Sequence, residues 1–124
     1  MARVYGVANL GEWQTRFFAH RRDDKESEDW QPLIHHLCRT AEMARDFGTD
    51  ANVADLAYIA GLIHDLGKYS VEFQKRLEGG PRVDHSTAGA MELKKLLDGA
   101  PQRVYAQLLS YPIMGHHAGL PDYG

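Results

Sequence analysis

From Pro32 onward, apolar and polar positions follow the period of an α-helix. Leu33, Leu37, Ala41, Ala44 and Phe47 recur three and four residues apart until Gly48 interrupts them, which predicts an amphipathic helix with one face on a core. Pro32 suits its first turn, where a missing N–H costs nothing. A second helix, capped by Asp50 or Asn52, sets Val53, Leu56, Ala57, Ala60 and Ile63 on its core face. Ser70 is placed to cap a short helix carrying Phe73 and Leu77, closed by Gly79-Gly80-Pro81. The next helix has a polar start at Asp84-His85-Ser86-Thr87 and runs through Met91, Leu96 and Leu97 to Asp98-Gly99. Its small residues Ala88, Gly89 and Ala90 permit close backbone approach. Pro101 opens a last helix through Val104, Leu108 and Leu109, which Pro112 is expected to bend or end. No alternating strand pattern or Asn-Gly hairpin occurs, so the expected fold is all-α.

Residues 1–31 lack this periodicity and include the polar run Arg21-Arg22-Asp23-Asp24-Lys25-Glu26. They read as an amino-terminal arm, with residues 32–124 as the helical core of a single domain; 124 residues suffice for one core and not for two. His20, after Phe17-Phe18-Ala19, is expected to cap or to face solvent.

Composition narrows the classes. A net charge of −3 removes a generic DNA-coating role, so contact with nucleic acid must rest on local cations or on metal and phosphate. Arg21-Arg22 and Lys94-Lys95 are the pairs able to steer a strand, although solvated faces explain them equally well. One cysteine, Cys38, excludes an internal disulfide and a cysteine-rich zinc module, and it reads as a small buried thiol. No apolar run resembles a signal peptide or reaches the length of a bilayer, so the expected location is the cytoplasm, away from membranes.

The chemistry concentrates at His64-Asp65-Leu66-Gly67-Lys68, which closes the most apolar run of the chain, Leu56 to Ile63. An imidazole and a carboxylate at the end of a buried helix need partners or a metal. Five more of the seven histidines lie at or beside predicted helices: His35-His36, His85 and His116-His117. Ligands converging from several helices are how bundles build metal centres. Successive helical residues are turned by about 100°, so only one of His35 and His36 faces the core, and His36 borders the apolar stripe. Imidazole with carboxylate suits Mn, Fe, Co or Ni, with Mg also admitted, and Asp65 is the natural bridge between two such ions. Lys68, three residues on, is placed to offset phosphate charge. A phosphate loop is absent, because Gly61 and Gly67 enclose five residues and Tyr69 follows Lys68; no Gly-x-Ser-x-Gly elbow occurs either.

Four stretches in order carry a family likeness: Pro32-Leu33-Ile34-His35-His36-Leu37, His64-Asp65-Leu66-Gly67-Lys68, Asp84-His85-Ser86-Thr87-Ala88-Gly89-Ala90 and Gly115-His116-His117-Ala118-Gly119-Leu120. Together they resemble the HD nuclease domain of the CRISPR-associated (Cas) type I helicase-nuclease, within the HD phosphohydrolase superfamily; Phe18-Ala19-His20 resembles its opening stretch. The resemblance implies a helical bundle with two divalent metals. His36, His64 and Asp65 would hold one; Asp65, His85, His116 and His117 would hold the other, with Lys68 near the scissile phosphate. It further implies a nuclease for single-stranded DNA in antiviral defence, coupled to a helicase and to a guide-RNA surveillance complex. The family supplies one more Asp to the first metal from a helix beyond the His-His motif, so this chain is expected to lack the C-terminal helices of the bundle; Asp122, in a Leu-Pro-Asp-Tyr-Gly loop, is not assigned that role. The alternatives are an HD-type phosphohydrolase for nucleotides or cyclic dinucleotides, and a catalytically silent docking module.

Overall fold

The computed structural model describes residues 16–26, 29–117 and 119. Within them lie α1 (Leu33–Thr49), α2 (Ala54–Ile63), a 3-10 turn (Leu66–Tyr69), α3 (Val71–Leu77), α4 (Ser86–Leu96) and α5 (Arg103–Gly115). Among the described residues there is no strand, only an isolated bridge between Phe18 and Pro32, and the fold is all-α. No described helix is long and apolar enough to cross a membrane.

Close backbone contacts set the helices against one another. Gly61 of α2 lies so near α1 that a Cβ there would meet the Ala41 Cα at 2.8 Å. Gly89 of α4 presses on the Ile63 carbonyl oxygen at the end of α2, the close approach that the run of small residues predicts. Two apolar clusters flank this junction. Ala19, Leu33 and Leu37 form one, with Phe17, Leu62 and Tyr69 packed against it. Ala90, Leu93, Ala106 and Ile113 form the other, with Ile63, Leu97, Leu109 and Met114 beside it. Each buried leucine or isoleucine contributes on the order of 1.5–3 kcal/mol.

The segment before α1 is part of this core. Ala19 is fully buried, its N–H donates to the Gln31 carbonyl at 3.0 Å, and the Leu33 N–H donates to the Phe17 carbonyl at 2.8 Å. Gln74 of α3 clamps the same segment, accepting from the Phe18 N–H at 3.1 Å and donating to the Phe18 and Lys68 carbonyls at 3.0 and 2.8 Å.

Several local expectations are corrected. Phe47 sits on the apolar stripe of α1 but is 81% exposed; in this last turn it is Gly48 that meets α2, where a Cβ would lie 2.9 Å from the Ala57 Cβ. Val53, Met91, Leu96, Val104 and Leu108 are likewise exposed, and Leu93, Ala106 and Ile113 form the core of α4 and α5. Cys38 is exposed and not a buried thiol, since it lies across α1 from the packed face. Neither Asp50 nor Asn52 caps α2: Val53 holds the cap position without a side-chain bond, and Asn52 takes a left-handed turn at φ 57, which asparagine tolerates. Pro112 does not end α5, which continues to Gly115 with Ile113 buried one residue later. The Ser70 cap of α3 is present, its side chain accepting from the Phe73 N–H at 3.1 Å.

Candidate metal centre

The α2 helix ends at Ile63, and the next two residues turn inward. His64 still holds a helical conformation and Asp65 opens the 3-10 turn. The Asp65 side chain is 3% exposed, a position at which a carboxylate is tolerated only among strong donors. Those donors arrive from every helix junction. His36, one turn into α1, brings Nε2 to 3.0 Å from Oδ2. His64 Nε2 lies 3.2 Å from the same oxygen. On the other oxygen, Oδ1, His116 Nε2 stands at 3.0 Å, His85 Nε2 at 3.3 Å and His117 Nε2 at 4.0 Å. His35, one residue before His36, points outward and is exposed, as the helical rotation requires.

Backbone carbonyls at two helix ends decide which ring nitrogens face the carboxylate. The Nδ1–H of His64 donates to the Gly61 carbonyl at 2.7 Å, and that of His116 to the Ile113 carbonyl at 2.6 Å. Both carbonyls belong to the last turn of a helix, where no intrahelical donor remains. With Nδ1 protonated, the Nε2 lone pair of a neutral ring aims at carboxylate lone pairs. His36 Nε2 and His64 Nε2 also approach to 3.3 Å. Lone pairs converging in this way need a proton or a cation between them. His85 adds to the need, since both its ring nitrogens are buried without a hydrogen-bond partner. Two groups therefore bring their ligand atoms within 4.8 Å of one another: His36, His64 and Asp65, and Asp65, His85, His116 and His117. The donor set fits divalent metal ions.

Burial by itself would raise the Asp65 carboxyl pKa, but hydrogen bonds from His36, His64 and Lys68 and the close approach of His85 outweigh it and hold the group far below the ordinary carboxylate range. For His64, burial acts downward and the Asp65 contact upward, and the net effect is a raised pKa. His117 is lowered, first by burial and then by His116 and His85.

Lys68 lies on the interior side of Asp65. It is 2% exposed, with Nζ 2.8 Å from Asp65 Oδ2 and donating to the Ala19 carbonyl at 3.1 Å. Its charge is thus engaged by Asp65 and by the segment before α1, on the side of Asp65 away from solvent. His20 is exposed, as expected, yet its ring stands edge-on to His36 at 5.1 Å between centroids. Asp122 falls outside the described residues.

The sequence reading did not find the carbonyls of Gly61, Ile113 and Ala19. For the first two a signal existed, a histidine three residues after a helical position at a helix end. For Ala19 there was none, because 49 residues separate it from Lys68.

A family model described as HD domain matches residues 33–120. Searches of curated proteins and of solved structures gave no significant match. The match covers more than half of the chain and contains all five of the histidines gathered around Asp65: the protein belongs to the HD domain family, whose members are generally metal-dependent hydrolases.

Proposed function

We propose that the protein is a metal-dependent nuclease that cuts single-stranded DNA, the nuclease part of a type I CRISPR helicase-nuclease. One observation carries the reading. The two oxygens of Asp65 face two separate sets of imidazoles, Oδ2 towards His36 and His64, Oδ1 towards His85, His116 and His117. That is the arrangement a bridging carboxylate needs between two metal positions. The match to an HD domain supports a metal-dependent phosphohydrolase, and the order of the four motifs in the sequence supports the narrower assignment.

In this reading His36, His64 and Asp65 hold one metal, and Asp65, His85, His116 and His117 the other. Bound there, divalent ions such as Mn, Fe, Co or Ni would supply an activated water and draw charge from the phosphodiester. The chain's own residues prepare the site. Asp65 stays ionised under its donors, and Lys68 offsets its charge from within. The Gly61 and Ile113 carbonyls hold the Nδ1 protons of His64 and His116, which leaves each Nε2 free to ligate. The partners are a single-stranded DNA substrate, a helicase and the guide-RNA surveillance complex, in the cytoplasm.

The test is cleavage of circular single-stranded DNA by Mn-loaded protein, beside a panel of nucleotides and cyclic dinucleotides, with Asp65→Ala as control. Opening of the circle that requires metal and Asp65 is the expected result. Turnover of the small nucleotides alone would assign the protein to the phosphohydrolases of that class. Silence on every substrate with both metals bound would favour a docking module.

A further inference from the structure

Beside the His85 and His117 side of the site lies a cavity of about 450 Å³, lined by Arg76, Arg82, Val83, Asp84, His85, Ser86 and His117. Its two guanidiniums come from different elements: Arg76 is half-buried on α3, and Arg82 is exposed on the loop leading to α4. Neither has a side-chain ion pair or hydrogen bond among the described residues. The arginines that stand out in the sequence do have such pairs. Arg21 pairs with Asp23 at 2.6 Å and Arg22 with Asp24 at 2.9 Å. Asp84 in the cavity wall carries one negative charge against the two positive ones and pairs with neither arginine, its carboxylate being turned to the start of α4. Its Oδ1 accepts from the Ser86 N–H and hydroxyl at 3.0 and 3.1 Å and from the Thr87 N–H at 3.4 Å, and Oδ2 accepts from the Thr87 hydroxyl. Two uncommitted guanidiniums thus share a cavity with two of the imidazoles that face Asp65.

Guanidinium is the side chain suited to forked hydrogen bonding of phosphate oxygens. We propose that this cavity is a phosphate subsite, in which Arg76 and Arg82 hold the backbone phosphate flanking the one at the metal positions. The site then takes a nucleic-acid strand, which carries a further phosphate along its backbone, in preference to an isolated phosphodiester. This rests on the phosphodiesterase reading above and adds the direction from which the strand enters, past the α3–α4 loop.

The experiment compares wild type, the double variant Arg76→Gln/Arg82→Ala and the control Arg22→Ala, after melting curves and metal content have shown all three folded and equally loaded. Binding of a fluorescent twelve-residue oligothymidylate is measured by anisotropy on metal-stripped protein across a salt series. The double variant is expected to bind about tenfold more weakly, with a salt slope smaller by about 1 to 2, and Arg22→Ala to match wild type. With Mn restored, kcat/KM on the oligonucleotide is expected to fall about tenfold in the double variant, while bis(4-nitrophenyl) phosphate, which has one phosphate only, is hydrolysed at the wild-type rate. Equal oligonucleotide binding by the double variant overturns the subsite, as does an equal loss on both substrates or arginine-dependent binding of ATP without binding of the strand. If wild type binds the strand through the two arginines but hydrolyses neither substrate, the nuclease reading fails and the subsite stands.

Discussion

The two sets of imidazoles around Asp65 differ in how far they reach solvent. His36 and His64 sit on α1 and at the end of α2, two helices locked by the contact of Gly61 with Ala41, and both are largely buried. His116 follows α5 as His64 follows α2, while His85 precedes α4 and His117 stands one residue further beyond α5. His117 is 55% exposed and lies farthest from the carboxylate, beside the arginine-lined cavity. One side is enclosed, and the other reaches solvent through His117. The difference shows how one buried aspartate serves both: Lys68 and the Ala19 carbonyl fix it from within, and its two oxygens diverge.

Removing the shared element erases the distinction and has the largest expected effect. Asp65→Ala is predicted to take metal content from two per chain to none, measured by elemental analysis, and to lower nuclease activity by about 10³-fold or more. It also leaves the Lys68 ammonium buried without a counter-charge, so metal-free stability should fall by about 3–5 kcal/mol in denaturant unfolding. Retention of either metal in this variant would show that Asp65 is not the bridge.

Single histidine changes should separate the two sides. His36→Ala is expected to lose one metal and His116→Ala the other, each leaving one ion per chain and about 10² less activity. Calorimetric titrations in which either variant lost both ions would mean that the two positions fill only together.

A subtler change addresses the mount of His85. Gly67 lies against the His85 backbone, where a Cβ would meet the His85 Cα at 2.7 Å and its carbonyl oxygen closer still. Gly67→Ala should displace His85 and weaken the exposed-side metal about 10- to 100-fold, with the His36–His64 side unchanged. Equal weakening of both sides would show that the 3-10 turn supports them as one unit.

The smallest effect is in pH. A metal competes with protons for imidazole. His64, raised above 6.5, keeps its proton to higher pH than an ordinary histidine, and His117, lowered, gives its proton up sooner. Acidification should therefore begin to weaken metal binding on the His36–His64 side above pH 6.5, and proton competition at His117 should begin only below it. Asp65 remains a carboxylate throughout. In the metal-free protein the sign reverses for His64: its protonated form stabilises the fold below 6.5, and that stability is lost as pH rises through the raised value. A titration followed by metal-sensitive absorbance would show two steps; a single step would mean that the two sides titrate alike.

Much of this was legible without coordinates. The period of apolar residues determined a helical chain, the Ser70 cap and the choice of His36 over His35, because these depend on neighbours within one or two turns. The run Ala88-Gly89-Ala90 announced a close contact, though not that its partner is the Ile63 carbonyl. Periodicity identifies an apolar face but not what covers it, and so only the tertiary structure decided that Phe47 and Cys38 are exposed and that Ile113 is buried beyond Pro112. The charges follow the same rule. Arg21, Arg22 and Lys68 look alike in sequence as cations free to meet phosphate, yet two are paired with nearby aspartates and the third is buried against Asp65. Arg76 and Arg82 acquire their importance from the cavity they share with His85 and His117. The ion pairs themselves are local, Asp23, Asp24 and Asp65 lying two or three residues from their partners. Packing alone decided that Lys68 is buried against the Ala19 carbonyl, 49 residues away, and that Arg76 and Arg82 reach one cavity, because burial depends on which distant segments fold against a side chain.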